Sequence, residues 1–398
     1  MCQSEAGPER SIFSLPDLQG TGPIRTKTKA HLRQARLRVL IATPLGRGGR
    51  GGIDRLNDMI IDRFCVVDSP IAVDQLVTRG QGSIRSMPLV FLRSIVQLAR
   101  AAIRRDVDVM HLCVSVYGSA YRKIILGELS RLFGITYIVH LHGGGFDDWW
   151  LRLGVRGRLI DRLFLNSSAI IVLGDYWADV VRRKLPAARH ITVLPNATPR
   201  PTMTKRAANF SAVHISFVGE VGSRKGVPQL LEALGHLAER SDWRATIAGN
   251  GELEKTSARL REMRIDHRVS MPGWLGPSAV ADLFRETDIF VLPSFWENLP
   301  MSLLEAMSHG LAIVSTPCGC VTEVIAHDVN GIIVPFGDAA ALQAAIARLI
   351  EDPALRKRLG NAARVAHEER YEIEKYCGRL ADIWSETFRR SKGEPRRG

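Results

Sequence analysis

Between Pro293 and Gly310 the chain reads Pro-Ser-Phe-Trp-Glu-Asn-Leu-Pro-Met-Ser-Leu-Leu-Glu-Ala-Met-Ser-His-Gly, which places two carboxylates, Glu297 and Glu305, with seven residues between them. An apolar run ends at about Leu292, and Pro300 suits the first turn of a helix. Glu297 therefore falls in a strand-to-helix loop, where ligands of α/β proteins bind, and Glu305 falls in the early turns of the helix. An ionised carboxylate accepts hydrogen bonds bidentately, so the pair suits recognition of hydroxyl groups. The plainer alternative is an acid facing a helix N-terminus beside a solvated one. Upstream, Phe217-Val-Gly-Glu-Val-Gly-Ser-Arg-Lys-Gly226 sets Arg224 and Lys225 after a strand and before a helix. A departing nucleoside diphosphate gains negative charge as its sugar bond breaks, and cations at that place would stabilise it. An exposed basic turn has the same composition. His142 directly follows the apolar run Thr136 to Leu141 and is followed by Gly143, Gly144 and Gly145. Residues just past the carboxyl ends of parallel strands line the ligand crevice, which makes His142 a site candidate. His140, on the same face by parity, is expected in the core.

The first strand-like run, Leu37 to Thr43, opens onto Gly46-Arg-Gly-Gly-Arg-Gly-Gly52. Gly46, Gly48 and Gly51 form a literal G-x-G-x-x-G, and Asp68 follows a second strand expected over Arg63 to Val67, which spells a dinucleotide fingerprint. The motif is weak, because a loop with five glycines matches many patterns. Its physical content is broader. Glycines let the backbone approach a ligand closely, and the N-terminus of the following helix offers free N–H groups to phosphate. Phosphate or sugar contact, NAD binding and a plain flexible turn all remain open from this loop alone.

These residues need a scaffold that delivers strand ends to one place. Apolar runs at Val107–Val114, Thr136–Leu141, Ala169–Leu173 and His190–Leu194 alternate with amphipathic stretches such as Pro88–Arg105, and a second alternating series runs from Val213 to Ser315. That spacing predicts parallel sheets covered on both faces. Pro195, Pro199 and Pro201 interrupt the pattern, so a linker is expected over Asn196 to Asn209. The reading is two α/β domains: residues 37–200 and 201–370, preceded by a flexible basic segment, 1–36, and followed by a terminal helix and loose tail, 371–398. A length of 398 residues suits two such domains. No apolar stretch long enough to span a bilayer and no secretory h-region is read. The six cysteines have no metal-site or C-x-x-C spacing, which points to a reducing compartment. Residues 1–200 hold 29 Lys and Arg against 16 Asp and Glu, so the whole net charge of +13 lies in the first half. An anionic partner for that half is one reading, and solubility is the other.

In order and context these motifs resemble the family 4 type retaining glycosyltransferases of the GT-B fold: a Gly-Gly loop after the first strand, a strand ending in His-Gly, a Gly…Lys-Gly after the linker, and Glu-x7-Glu followed by Ala-Met-x-x-Gly. The resemblance covers about Leu37 to Arg390. It implies two Rossmann-like domains facing a central cleft, with the C-terminal helix crossing back to the first. It further implies that Glu297 contacts the donor sugar, that Glu305 binds the nucleotide ribose, that Lys225 with Arg224 neutralises the diphosphate, and that His142 sits beside the transferred sugar. Gly51 and Gly52 would let the first loop close, and Gly219 would lie at the diphosphate. Two departures stand out. The family often has Gly-Arg where this chain has Gly219-Glu220, so Arg224 would have to compensate or donor affinity would fall. It often has Glu-Gly-Phe-Gly where this chain has Glu297-Asn298-Leu299-Pro300. Pro300 has no N–H, so backbone recognition would rest on Asn298, Leu299 and Met301.

The resemblance implies transfer from a nucleotide-sugar, UDP- or GDP-linked, with retention, without metal or cofactor, to a glycan or lipid-linked acceptor in polysaccharide or glycoconjugate synthesis. The acceptor would lie in the basic first domain. There, Trp149 to Leu165 mixes large apolar residues with four arginines; it is read either as a core helix with a charged outer face or as a peripheral contact with anionic membrane. A cytoplasmic location, at the inner face of the membrane, is expected. Rival readings are another GT-B enzyme such as a sugar epimerase or a phosphorylase, an NAD-dependent oxidoreductase, and a non-catalytic nucleotide-sugar or nucleic-acid binding protein. No nucleic-acid motif with interleaved aromatics is present, and nucleic acid is not expected as a partner.

Overall fold

A computed structural model describes residues 36–66, 69–202 and 212–394. The expected basic lead-in (save Arg36), Asp68, much of the expected linker and the last four residues lie outside them. The first sheet joins β1 (Leu37–Thr43), β2 (Ile71–Val77), β3 (Val109–Val114), β4 (Thr136–Leu141), β5 (Ala169–Val172) and β6 (Ile191–Val193) in the order β2-β1-β3-β4-β5-β6. Its helices are α1 (Gly52–Phe64), α2 (Met87–Ile103), α3 (Gly118–Leu132), α4 (Phe146–Arg152), α5 (Arg158–Leu165) and α6 (Asp175–Lys184). The second sheet joins β7 (Val213–Val218), β8 (Trp243–Ala248), β9 (Val269–Gly273), β10 (Ile289–Leu292), β11 (Ala312–Ser315) and β12 (Ile332–Ile333) in the order β12-β11-β10-β7-β8-β9. Around it lie α7 (Val227–Gly235), α8 (Leu253–Glu262), α9 (Pro277–Glu286), α10 (Met301–Ser308), α11 (Val321–Val324), α12 (Ala339–Glu351) and α13 (Pro353–Arg370), and α14 (Ile373–Ser391) ends the described chain. Every strand pair is parallel. Each sheet reverses its direction of growth once, between β1 and β3 and between β7 and β10. Ligands bind outside the carboxyl ends of the strands at such switch points.

Several elements differ from the sequence-based expectation. No strand runs from Arg63 to Val66. Leu56, Ile60 and Ile61 continue one helical face, so α1 extends to Phe64, and the second strand comes later, pairing Leu37↔Ile71 through Thr43↔Val77. Asp74 and Gln75 in that edge strand break its apolar run and conceal it. The sequence reading assigns nothing between Ser315 and Tyr371, where β12 and α11 to α13 lie. The stretch Trp149 to Leu165 is not one helix: α4 and α5 are separated by a 3-10 turn at Gly154–Gly157. It buries Trp150, Ile160, Leu163 and Phe164 and leaves Leu151, Val155 and Leu159 exposed. Ile84–Ile103 is long and apolar enough to cross a membrane by length and composition, contrary to the expectation that no stretch is. In the fold it lies on β2, with Ser94 and Leu98 buried and Leu89, Leu92, Val96 and Ile103 exposed.

The helix α14 returns to the first sheet. Its Ile373, Tyr376, Cys377, Leu380 and Trp384 share one apolar cluster with Val39, Ile41, Val109, Ile138 and Ile171. Alternate residues of the same strands, Leu40, Met110 and Val139, face the other core, as period-2 geometry requires. The return is fixed by an interlock: Thr198 N–H donates to Tyr371 O at 3.0 Å, Ile373 N–H donates to Thr198 O at 3.1 Å, and Thr198 Oγ1 lies 2.7 Å from His367 Nε2.

Beneath α14 a polar chain enters the sheet. Trp384 Nε1–H, which can only donate, donates to His111 Nδ1 at 2.9 Å. His111 must then carry its proton on Nε2, which donates to His140 Nδ1 at 3.1 Å. Burial pushes His111 down to about 3 and His140 well below its usual range, so both stay neutral, as this chain of donors and acceptors requires. Trp384→Phe removes the donor, strands His111 Nδ1 and leaves a void. It is expected to cost about 2 kcal/mol or more in urea unfolding, against less than about 0.5 kcal/mol for Trp296→Phe at an exposed position. Equal effects of the two substitutions would contradict the docking described.

Candidate active site

On the second-domain wall, the switch point between β7 and β10 places two loops side by side. The loop after β7 tightens into a 3-10 turn, Ser223–Lys225, closed by Gly226 at φ +70. A Cβ at Gly226 would stand 1.9 Å from Pro293 O, so only glycine lets the turn sit under the loop after β10. Phe295 N–H donates to Arg224 O at 3.0 Å and joins the two loops directly. As a result Lys225, buried, forms an ion pair with Glu297. Arg224 does not stand free beside them. Its Nη2 donates to Glu220 Oε2 at 2.7 Å and its Nη1 to Trp296 O at 3.1 Å. Glu220, at the position where arginine is usual in the resembled family, thus takes up part of the charge that Arg224 would have offered a diphosphate.

Glu305 lies in the second turn of α10, 6 % exposed and facing the same cleft. Burial raises its carboxyl to about 7, with Arg55 opposing the rise. Arg55 reaches it from the first turn of α1, in the other domain: Nη1 donates to Oε2 at 3.1 Å, and Nη2 lies 2.9 Å from Oε1 without hydrogen-bonding alignment. Pro300 is the residue before α10 and brings no amide. The carbonyls of Asn298 and Leu299 are engaged by Cys320 N–H at 2.8 Å and by Asn196 Nδ2 at 2.8 Å. The first intrahelical bond is Leu304 N–H to Pro300 O, so the amides from Met301 to Leu303 precede any helical acceptor.

The first-domain wall begins with the glycine loop. Asp54, almost fully buried in the first turn of α1, accepts from Leu45 N–H at 2.9 Å and Gly46 N–H at 3.2 Å and so ties the loop to the helix that follows it. Burial raises Asp54 to about 6, and those two amides oppose the rise. Gly52 faces Met301: a Cβ there would meet its Cγ at 3.2 Å. His142 follows β4, its ring 3.9 Å from that of His140. Burial pushes His142 down to about 3, and its Nε2 has no hydrogen-bond partner among the described residues. A neutral, unsatisfied imidazole on a cleft wall can exchange a hydrogen bond with a ligand hydroxyl but carries no charge to donate. Gly144 lies against the backbone of the other domain, where a Cβ would come within 2.7 Å of the Glu297 carbonyl carbon.

The two walls enclose a cleft of about 1250 Å³. The eleven residues to which the resemblance gives a role all border it: Gly51, Gly52, His142, Gly219, Arg224, Lys225, Glu297, Asn298, Leu299, Met301 and Glu305. His140 stays in the core with His111. The sequence reading did not reach Arg55, Asp54 or Trp274. Asp54 and Arg55 follow the glycine loop closely, so their place in the first turn of α1 was a usable signal; Trp274 had none. Chemically the cleft offers carboxylates for hydroxyls, cations for an anion and one neutral imidazole between them.

Residues 20–197 match the family model described as Glycosyl transferase 4-like domain, and residues 205–366 match the one described as Glycosyl transferases group 1. The chain is 25% identical over 288 residues to an alpha-D-kanosaminyltransferase of Streptomyces kanamyceticus, covering 65% of this chain and 72% of that one. It is 23% identical over 294 residues to the UDP-Gal:alpha-D-GlcNAc-diphosphoundecaprenol alpha-1,3-galactosyltransferase of Escherichia coli, covering 66% and 72% respectively. Over three further relatives the match spans 44% to 65% of their length. In fold it is similar to sucrose-phosphate synthase from Thermosynechococcus elongatus, with a TM-score of 0.75, 16% identity, and coverage of 89% of this chain and 99% of that one. With both domain models matched in order and two Rossmann-like sheets meeting at their switch points, the chain belongs to the group 1, family 4 type glycosyltransferases of the GT-B fold.

Proposed function

We propose that this glycosyltransferase moves a sugar, with retention and without a metal ion, from a nucleoside diphosphate sugar to a lipid-linked or glycan acceptor in polysaccharide or glycoconjugate synthesis. The observation that carries the reading is the gathering of Lys225, Glu297, Glu305 and His142 around one cleft at the strand ends of both sheets. Glu305 would accept from the ribose hydroxyls, Glu297 from the sugar, and Lys225 would face the diphosphate. As the bond from the anomeric carbon to the phosphate oxygen breaks, the acceptor oxygen attacks on the same face, and its proton passes to the departing phosphate oxygen. Cationic side chains aimed at the developing charge supply what a metal would supply elsewhere. The UDP-Gal donor and diphosphoundecaprenol acceptor of the Escherichia coli relative support a UDP-sugar and a lipid diphosphate as first candidates.

A second proposal concerns place: the enzyme works on the inner face of the cytoplasmic membrane. It is supported by the outward face of α2, where exposed Leu89, Leu92 and Val96 stand beside Arg93 and Arg100, a composition suited to an anionic lipid surface.

Three outcomes are expected. In a thermal-shift screen against UDP-, GDP-, ADP- and CMP-sugars, with NAD and an oligonucleotide as controls, one nucleotide-sugar at about 100 times its Kd should stabilise the fold by roughly 2.7 kcal/mol. Glu305→Ala and Lys225→Ala should abolish the shift, and a response to NAD or the oligonucleotide alone would sink the reading. Affinity for that nucleotide-sugar, whose diphosphate loses no proton near neutrality, should rise between pH 6 and pH 8 as Glu305 ionises through about 7, because only the carboxylate accepts two hydroxyls at once. The rise should disappear in Glu305→Gln, and a persisting rise would assign it to another group. Finally, the protein should co-sediment with vesicles containing anionic lipid, more weakly as salt increases; recovery in the supernatant at low salt would rule out the membrane location.

A further inference from the structure

Three of the carboxylates that line the cleft are paired with cations that line it from the domain walls: Glu220 with Arg224, Glu297 with Lys225 and, at 4.0 Å, Arg224, and Glu305 with Arg55. The first two pairs belong to the second domain alone. The third spans the cleft and joins residues 250 positions apart. A second first-domain arginine does the same. Arg50, from the glycine loop, lies 4.8 Å from the ring centroid of Trp274, which follows β9 and remains substantially exposed. Both arginines therefore rest on second-domain groups with an evident use for a nucleoside: an open aromatic face for a base, and a buried carboxylate for a diol.

The three pairs differ in what the release of the cation would leave behind. A diphosphate brings negative charge and needs cations released from their partners. Lys225 would leave the nearly buried Glu297 uncompensated if it turned away, and an unpaired buried carboxylate is costly; Arg224 is paired with an exposed carboxylate, Glu220, and is held besides by the Trp296 carbonyl. Glu305 is offered replacement hydrogen bonds by the donor itself, through the ribose, and its cation is the one of the three that comes from the first domain. Glu305 Oε1 already lacks an aligned donor. Arg55 stands in the first turn of α1, close to the N-terminal amides that follow the glycine loop, where the helix end also favours an anion.

We propose that Arg55 is an exchange residue: in the empty enzyme it neutralises Glu305, and on donor binding it cedes Glu305 Oε1 to the ribose and carries its freed N–H groups to the diphosphate. This rests on the nucleotide-sugar reading above. Arg55 thereby supplies the charge that Glu220 withdraws from Arg224, and it ties the first domain to the nucleotide held by the second. Arg55 then touches substrate at the phosphate and is not merely a prop for Glu305.

The test is a double-mutant cycle read by calorimetric titration with UDP and, in parallel, GDP. Wild type, Arg55→Ala, Glu305→Gln and the doubly substituted protein are compared, with Arg55→Lys as the charge-conserving control. Arg55→Ala should weaken the bound nucleotide about tenfold or more, both with Glu305 intact and in the Glu305→Gln background, and Arg55→Lys should recover part of the loss. An effect of Arg55→Ala seen only while Glu305 is intact would overturn the proposal, because that is the signature of a residue acting through Glu305. No effect in either background would overturn it equally. If the wild type binds neither UDP nor GDP, the nucleotide-sugar reading falls and this inference falls with it.

Discussion

The peptide between Glu297 and Asn298 is the fixed point of this molecule. It is held between two glycines from different domains: a Cβ at Gly144 would stand 2.7 Å from the Glu297 carbonyl carbon, and one at Gly319 would stand 2.4 Å from its oxygen. Neither residue could carry a side chain without moving the peptide. Asn298 Nδ2 reaches Leu141 O at 3.4 Å, and Asn196 Nδ2 donates to the Leu299 carbonyl at 2.8 Å. The loop that presents Glu297 is thus positioned from the first domain as much as from β10. The site exists only where the two sheets meet, and the catalytic geometry is a property of the interdomain contact.

Electrostatics follow from that contact. Burying carboxylates in a cleft is unfavourable unless each has a partner, and the fold provides one for both of the nearly buried ones, Lys225 locally for Glu297 and Arg55 from across the cleft for Glu305. Histidines on the first-domain side stay neutral through burial, so they add no charge to the row. The empty cleft is close to electrically balanced, and an incoming anion has to rearrange partners rather than enter a ready-made positive pocket.

Much of this could be read in the chain. Strands buried on both faces announce themselves as apolar runs, and residues that follow them inherit a place at the crevice, which is how His142, Lys225 and Glu297 could be singled out. The edge strand β2 escaped because Asp74 and Gln75 interrupt its apolar pattern while its backbone still pairs along the full length of β1. Arg55 escaped for a different reason. Its place just after the glycine loop marks it as near the crevice, but its partner is set by packing between residues far apart in sequence. The same holds for Trp384 and His111, 273 positions apart. Charge pairing across a fold is decided by geometry that periodicity does not encode, whereas the ends of strands are decided by periodicity itself.

The return of α14 has a consequence for how the protein comes into being. Synthesis delivers the strands of the first sheet early, and domains tend to fold as they emerge. One face of that sheet, with Val39, Ile41, Val109, Ile138 and Ile171, is covered in part by Leu56 and Ile60 of α1 and otherwise by residues from Ile373 onward. Through the translation of the whole second domain the first therefore waits half-clad, with an apolar surface open to the cell. A ribosome stalled before Tyr371 would release a chain whose two sheets are both written but whose first core has lost the share of its lid that α14 supplies. The last helix is thus the step that makes the earliest part of the chain native.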